Sequence, residues 1–234
     1  MDAKVKDLRK KAVVLLSGGL DSTVTLARTH EEDYELYPLS IDYGQRHDKE
    51  LESAQKIANW YEVKEHKILK IDISQVGGSA LTDMKIKIPE KRDENKIGSD
   101  VPITYVPARN TILLSLALGY AEVIEAQAIF IGANALDYSG YPDCRPEYFE
   151  AFQEVAELGT KTGIEGKPVV IKYPLINLTK AEIVKEGERL NVPFHLTWSC
   201  YKGGDLACGK CDSCILRLKG FKEAGIEDPM EYED

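Results

Sequence analysis

The chain has 234 residues, 43% of them hydrophobic, and carries 30 basic against 39 acidic side chains, a formal net charge of −9. This length suits one domain of generous size, and the acidic balance argues against a protein that mainly grips nucleic-acid backbone. The most apolar stretch, residues 112–121, is too short to cross a bilayer. We therefore expect a cytoplasmic protein with a small-molecule substrate, no membrane contact and no directly bound nucleic acid.

Apolar, β-rich runs alternate with helical patterns, and this alternation predicts a Rossmann-like α/β fold with a doubly wound parallel sheet. In chain order the predicted elements are a strand at 12–16, a helix at 22–30, a strand at 36–41, a helix at 47–61, a strand at 66–71, a helix at 110–126, a strand at 128–131, a helix at 146–162, a weaker strand at 168–171 and a helix at 179–190. Residues 74–104 show no clear period, which is typical of a lid or a disordered loop. We expect a catalytic domain at 1–197 and a small metal-binding lobe at 198–234.

The turn between the first strand and the first helix consists of six residues that favour an anion: Ser17, Gly18, Gly19, Leu20, Asp21 and Ser22. Two glycines allow a tight turn, and the unpaired N–H groups of a helix start favour a polyphosphate. No lysine follows the glycines, so a Walker loop is excluded. The pattern instead resembles the loop of enzymes that split ATP between its α and β phosphates. The alternative is a glycine-rich turn without a ligand.

Four of the five cysteines, Cys200, Cys208, Cys211 and Cys214, follow the spacing C-x7-C-x2-C-x2-C. Four thiolates so spaced suit a tetrahedral Zn²⁺ site with no open coordination position, which predicts a structural zinc. An iron–sulfur cluster is the main alternative, although its usual third spacing and proline are missing. We expect the remaining cysteine, Cys144, to pack as a small apolar side chain.

Several charged residues lie near predicted strand ends or helix starts, where such a sheet binds its ligands. Asp42 is a candidate for ribose or Mg²⁺ and Arg46 for phosphate charge, with a solvated turn as the alternative. Arg109 lies at the positive end of a helix, which indicates a compensating anion unless the side chain is simply exposed. Lys180 lies in the first turn of the last predicted helix, where a cation is disfavoured unless an anion is near. Contact with ATP is one interpretation, and a solvated side chain is the alternative.

The densest polar stretch, residues 132–145, follows the fourth predicted strand and should line the same cleft. Asp137 and Asp143 offer carboxylates to a guanidine-like edge, Tyr141 can stack on a ring, and Arg145 can pair with a carboxylate. These side chains suit a heterocyclic acid.

Assembled in order, these motifs resemble the 7-cyano-7-deazaguanine synthase family of PP-loop ATP pyrophosphatases, whose fold is adenine nucleotide alpha-hydrolase-like. The resemblance covers residues 17–229 and is carried by LSIDYGQRH at 39–47, VPARN at 106–110, SGYPDCRPE at 139–147, TWSCY at 197–201 and CGKCDSC at 208–214. It implies that ATP activates 7-carboxy-7-deazaguanine and that ammonia converts it to an amide. A second activation then dehydrates the amide to the nitrile used for queuosine or archaeosine.

The resemblance also implies roles for single residues. The loop at 17–22 would cradle the phosphates with Asp21 on Mg²⁺, and Arg46 or Arg109 would meet phosphate or the acyl oxygen. The acid would be held by Asp137, Tyr141, Asp143 and Arg145. The family further suggests a homodimer, and the absence of an early cysteine favours free ammonia over an amidotransferase domain.

Other functions share parts of this pattern. NAD synthetase, the synthetase portions of GMP and asparagine enzymes, and tRNA thiolases carry the same kind of loop. A different class of protein, a non-catalytic module that binds zinc and a nucleotide, would bind ATP without turnover.

Overall fold

A parallel sheet of five strands forms the centre of the molecule, for which a computed structural model describes residues 9–93, 97, 100–136 and 140–233. The strands are β1 (Lys11–Leu15), β2 (Glu35–Asp42), β3 (Lys67–Lys70), β4 (Ala128–Phe130) and β5 (Val170–Lys172). Their order is β3-β2-β1-β4-β5, with every neighbouring pair parallel. The order reverses between β1 and β4, and open α/β sheets bind ligands at such a switch point.

Seven α-helices occur among the described residues: α1 (Leu20–Glu31), α2 (Lys49–Trp60), α3 (Arg109–Ile124), α4 (Pro146–Gly159), α5 (Lys161–Ile164), α6 (Lys180–Arg189) and α7 (Asp212–Ala224). All five predicted strands and four of the predicted helices are confirmed to within a few residues. The helix predicted at 146–162 is instead two helices. Thr160 is extended (φ −123°, ψ 158°), and its hydroxyl accepts a hydrogen bond from the Gly163 N–H at the start of α5.

The alternation of side chains along β1 separates two layers of the core. Val13 lies in a cluster with Leu114 of α3 and Phe149 of α4, whereas Val14 lies in a cluster with Ile57 of α2. Helices therefore cover both faces of the sheet, as a parallel sheet requires.

Helix α7 was not predicted, because its buried face mixes polar and apolar residues. Asp212, Gly220 and Arg217 are buried on it beside Phe221, so hydrophobic periodicity misses the helix. Phe221 packs in one cluster with Leu20 of α1 and with residues of α6. The C-terminal segment thus shares a core with the first helix, and the boundary proposed at 197/198 stays a prediction.

The described part of residues 74–104 packs beside the cysteine segment. The Lys91 N–H donates to the Lys210 carbonyl over 2.8 Å, and Arg92 pairs with Asp212 over 2.9 Å. The expectation of a lid stays a prediction. Among the described helices, none combines the length and the apolar character needed to cross a membrane.

Candidate active site

The turn after β1 is held between three other chain segments. A Cβ at Gly18 would lie 2.2 Å from the Glu50 carbonyl oxygen, and one at Gly132 would lie 2.9 Å from the backbone of Asp21. The Trp198 N–H donates to the Gly18 carbonyl over 2.9 Å. Gly18 also has φ +85°, a conformation that favours glycine. Close packing therefore fixes the loop, and neither position has room for a side chain.

The start of α1 offers hydrogen-bond donors to a ligand. Gly19 is its N-cap and supplies no side-chain cap, and the first N–H groups of a helix have no partner within the helix. The hydroxyls of Ser17 and Ser22 lie 3.1 Å apart and line the same cavity. N–H groups and hydroxyls gathered at the positive end of a helix form a site suited to phosphate.

A cavity, which we call the polar cavity, opens over this loop where β1 and β4 end. Its walls include Ser17, Asp21, Glu50, Arg109, Tyr141 and Lys180. A second cavity, the apolar cavity, extends toward Leu15, Leu39, Ile41, Tyr43 and Leu113. Glu50 and Arg109 line both cavities. The two spaces together provide phosphate-binding groups beside apolar walls suited to a flat ring.

An ion pair joins the phosphate loop to α6 inside the polar cavity. The Lys180 ammonium lies 2.8 Å from both carboxylate oxygens of Asp21, and Lys180 is only 7% exposed. A capping box of Thr179 and Glu182 starts α6. The solvated alternative for Lys180 is wrong, because the side chain is buried against a carboxylate that balances its charge.

Arg109 is the first residue of α3 and is half-buried, so the exposed alternative is wrong. Burial opposes its charge, but Tyr43 and Tyr141 favour it, and the net effect raises the pKa of Arg109. The guanidinium is therefore a fixed positive charge on the wall between the two cavities.

Tyr141 and Cys144 complete the β4 side of the polar cavity. The Tyr141 hydroxyl lies 3.1 Å from the Thr104 hydroxyl. Burial raises the pKa of Cys144 to about 12, and Asn110 Nδ2 donates to its sulfur over 3.3 Å. The thiol therefore stays protonated at neutral pH and is no thiolate nucleophile.

Arg46, predicted to meet phosphate charge, and Asp42, predicted to bind ribose or Mg²⁺, both lie outside the two cavities. The Arg46 guanidinium donates to backbone carbonyls within residues 80–86, including that of Asp83 over 2.7 Å. The Asp42 carboxylate lies 3.0 Å from the Lys70 ammonium. In this structure Arg46 and Asp42 are therefore paired with neighbouring groups of the protein.

The predicted acid-binding residues are divided in a similar way. Tyr141 lines the polar cavity, whereas Asp143 and Arg145 line a separate surface depression. An Asp143 carboxylate oxygen accepts the Asn110 N–H over 3.0 Å, and exposed Arg145 donates to the Pro142 carbonyl over 3.2 Å. Asp137 lies outside the described residues.

Glu50 is a cavity residue that the sequence analysis did not single out. It lies in the first turn of α2, where acidic residues are common because they stabilise the helix start. Burial raises its pKa to about 7, although Arg109 works in the opposite direction. No local signal separates such a carboxylate from an ordinary helix-start residue.

The four clustered cysteines form a closed centre beside the polar cavity. Their sulfur atoms all lie within 4.8 Å of one another, and each residue is 0% exposed. Backbone N–H groups of Lys202 and Cys208 approach the Cys200 sulfur at 3.4 and 3.3 Å. Four sulfurs around one ion at about 2.3 Å would lie roughly 3.8 Å apart, so the cluster fits a tetrahedral metal.

The sheet order, the phosphate loop and the cysteine centre define a PP-loop protein of the ATP-utilising class. A solved 4-thiouridine synthetase–RNA complex with bound ATP shares the fold with a TM-score of 0.50 at 14% identity, over 92% of this chain and 50% of that one. The family model described as Queuosine biosynthesis protein QueC matches residues 11–225. The chain belongs to the QueC family.

Relatives of high identity carry one enzyme name, 7-cyano-7-deazaguanine synthase. The protein from Acetivibrio thermocellus is 63% identical, over 95% of this chain and 98% of its own length. That from Picrophilus torridus is 59% identical, over 96% of this chain and 92% of its own length. The family resemblance and the enzyme class expected from the sequence are confirmed.

Proposed function

We propose that this chain is an ATP-dependent ligase that converts 7-carboxy-7-deazaguanine and ammonia to 7-cyano-7-deazaguanine. The supporting observation is the polar cavity, in which a phosphate loop, the Asp21–Lys180 pair and Arg109 meet where β1 and β4 end. The shared name of relatives at 59–63% identity supports the choice of substrate.

The reaction needs two activations because a carboxylate and an amide both resist conversion. An oxygen of the acid attacks the α phosphorus of ATP, and pyrophosphate leaves. Ammonia then adds to the acyl carbon, AMP leaves, and the amide remains. The amide oxygen then attacks the α phosphorus of a second ATP and pyrophosphate leaves, and loss of AMP and both amide protons gives the nitrile.

The cavity residues suit the charge that develops in these steps. We assign the N–H groups at the start of α1 and the hydroxyls of Ser17 and Ser22 to the departing pyrophosphate. The Asp21 oxygens would hold Mg²⁺, which when bound neutralises phosphate charge. Lys180 keeps Asp21 oriented, and Arg109 lies where it can meet the α phosphate or the acyl oxygen.

For the cysteine centre we propose a structural Zn²⁺. Four buried sulfurs leave no position for a substrate, so the ion would stabilise the segment that follows Trp198 rather than react. Metal analysis of the purified protein tests this choice. Iron with acid-labile sulfide would instead support the cluster alternative.

The direct test is mass spectrometry after incubation with Mg-ATP, ammonium and 7-carboxy-7-deazaguanine. We expect the nitrile and AMP together. AMP without nitrile would keep the adenylating site and overturn the substrate, and neither product would favour a module that only binds ATP. The homodimer, the cytoplasmic location and the lack of nucleic-acid binding stay predictions.

A further inference from the structure

The two cavities contain two carboxylates among the residues described, and their surroundings differ. Asp21 is paired with Lys180 at 2.8 Å. Glu50 lies on the wall shared by both cavities. Within the described part of the chain its carboxylate has no hydrogen-bond donor and no ion-pair partner, and Arg109 interacts with it only through longer-range charge.

The position of Glu50 is fixed relative to the phosphate loop. Its backbone carbonyl packs so closely on the loop that a Cβ at Gly18 would lie 2.2 Å away. The residue also lies near the start of α2, a helix of twelve residues. The backbone of Glu50 is therefore fixed beside the loop, and its partly buried carboxylate, which has no donor, favours a ligand that supplies N–H groups.

We propose that the Glu50 carboxylate accepts the ring N–H and the 2-amino group of the deazaguanine base, and so selects a guanine-like acid. This inference rests on the proposed function for the identity of the base. The guanine edge presents two neighbouring N–H donors, which match the two oxygens of a carboxylate as a guanidinium does. Glu50 thus takes the role that the sequence analysis gave to Asp137 and Asp143.

Other groups of the substrates fit Glu50 less well. Phosphates and the acid's own carboxylate would be repelled by it. The adenine amino group offers donors beside a ring nitrogen that only accepts, so one carboxylate oxygen would be opposed by a lone pair. Ammonium remains the competing occupant, because it also donates N–H groups, and the test separates it from the base.

The test compares two acids with three proteins. The acids are 7-carboxy-7-deazaguanine and its analogue without the 2-amino group, and the proteins are the wild type, Glu50→Gln and the matched control Glu52→Gln. Glu52 lies on the same helix but is exposed. Calorimetry measures binding of each acid, and pyrophosphate release at varied acid and ammonium concentrations measures kcat and the KM for each.

We expect the wild type to prefer the 2-amino acid by about 100-fold, because a polar site rejects a ligand that leaves it unpaired. Glu50→Gln should lose most of this preference through a higher Kd and KM for the 2-amino acid. The Kd and KM for the analogue, and kcat, should stay within about 3-fold of the wild-type values. Glu52→Gln should behave as the wild type.

Equal binding of the two acids by the wild type, or an unchanged preference in Glu50→Gln, would overturn the proposal. So would a variant whose defect is confined to a raised KM for ammonium, because Glu50 would then meet ammonia. Selective binding without AMP formation would uphold Glu50 and refute the proposed function. If Glu50→Gln loses ATP binding or its cooperative melt, Glu50→Asp should keep part of the preference.

Discussion

The cysteine centre and the polar cavity adjoin each other, yet their polar groups are satisfied in different ways. At the centre, four fully buried cysteines face one another and receive hydrogen bonds from the backbone. In the cavity, Asp21 is paired with Lys180, but Glu50 has no donor among the described residues and the helix start at Gly19 has no side-chain cap. A group of ligands closed around one ion stabilises a fold, whereas polar groups left open to a cavity cost stability and await a substrate.

The largest effect should follow from opening the closed centre. We expect Cys211→Ser to lose most of the bound zinc and to lower the melting temperature by roughly 10 °C or more, since structural zinc contributes several kcal/mol to folding. Metal analysis and thermal melting measure both. The control is Cys144→Ser, which alters a buried cysteine outside the cluster and should keep its zinc. Full zinc occupancy in Cys211→Ser would remove that residue from the ligand set.

Next in size is the loss of the carboxylate charge in the cavity. Asp21→Asn keeps an oxygen near Lys180 but removes the proposed Mg²⁺ ligand, so turnover should fall roughly 100- to 1000-fold. The melting temperature should also fall, because Lys180 then keeps a buried charge without its counterion. Product analysis by mass spectrometry measures turnover. Asp33→Asn, at the exposed turn after α1, is the control and should stay active. Wild-type turnover in Asp21→Asn would refute the Mg²⁺ assignment.

A smaller effect should come from pushing the phosphate loop away from α2. Gly18→Ala places a Cβ 2.2 Å from the Glu50 carbonyl oxygen and 2.6 Å from the Ala54 nitrogen, and it should cost about 2–4 kcal/mol of stability. Gly166 also has positive φ (+77°), but a methyl group added there would have nothing within 4 Å. Gly166→Ala should therefore cost only about 1 kcal/mol in urea unfolding. Equal losses of stability in the two variants would mean that α2 shifts to make room for the added methyl group.

The parts of this site that sequence could predict are those carried by neighbouring residues. The phosphate loop and the cysteine cluster are short motifs whose chemistry depends on spacing alone, and the structure gathers each as expected. The Asp21–Lys180 pair spans 159 positions, so the sequence could show only that a lysine at a helix start needs an anion. Which anion it meets depends on how α6 packs against α1.

The assignments that the structure does not gather in either cavity also depend on distant packing, and they stay predictions. Arg46 and Asp42 follow β2 as a ligand-binding turn would, but a backbone segment within 80–86 and Lys70 occupy them. Glu50 was overlooked because an acidic residue at a helix start already has a sufficient structural explanation. Long-range packing decides which of several plausible charges remains available for a substrate.

The smallest predicted effect is a pH-dependent change in stability when the Glu50 carboxylate is removed. The ordinary pKa of the Glu50 carboxyl is 4.5, and burial raises it to about 7 in the folded protein. Between these two pH values the carboxyl ionises in the unfolded chain but stays protonated in the folded protein. Glu50 therefore lowers the free energy of unfolding as pH rises through this window, and the full loss is reached above it. Glu50→Gln should therefore stabilise the free protein by about 1–3 kcal/mol near pH 8 and by much less near pH 5, measured by urea unfolding. Glu52→Gln should show no such pH dependence, and a loss of stability in Glu50→Gln near pH 8 would mean that the carboxylate supports the fold. A variant that gains stability while it loses affinity for the 2-amino acid would show that this carboxylate is kept for its ligand, unlike the clustered cysteines, whose removal we expect to lower stability.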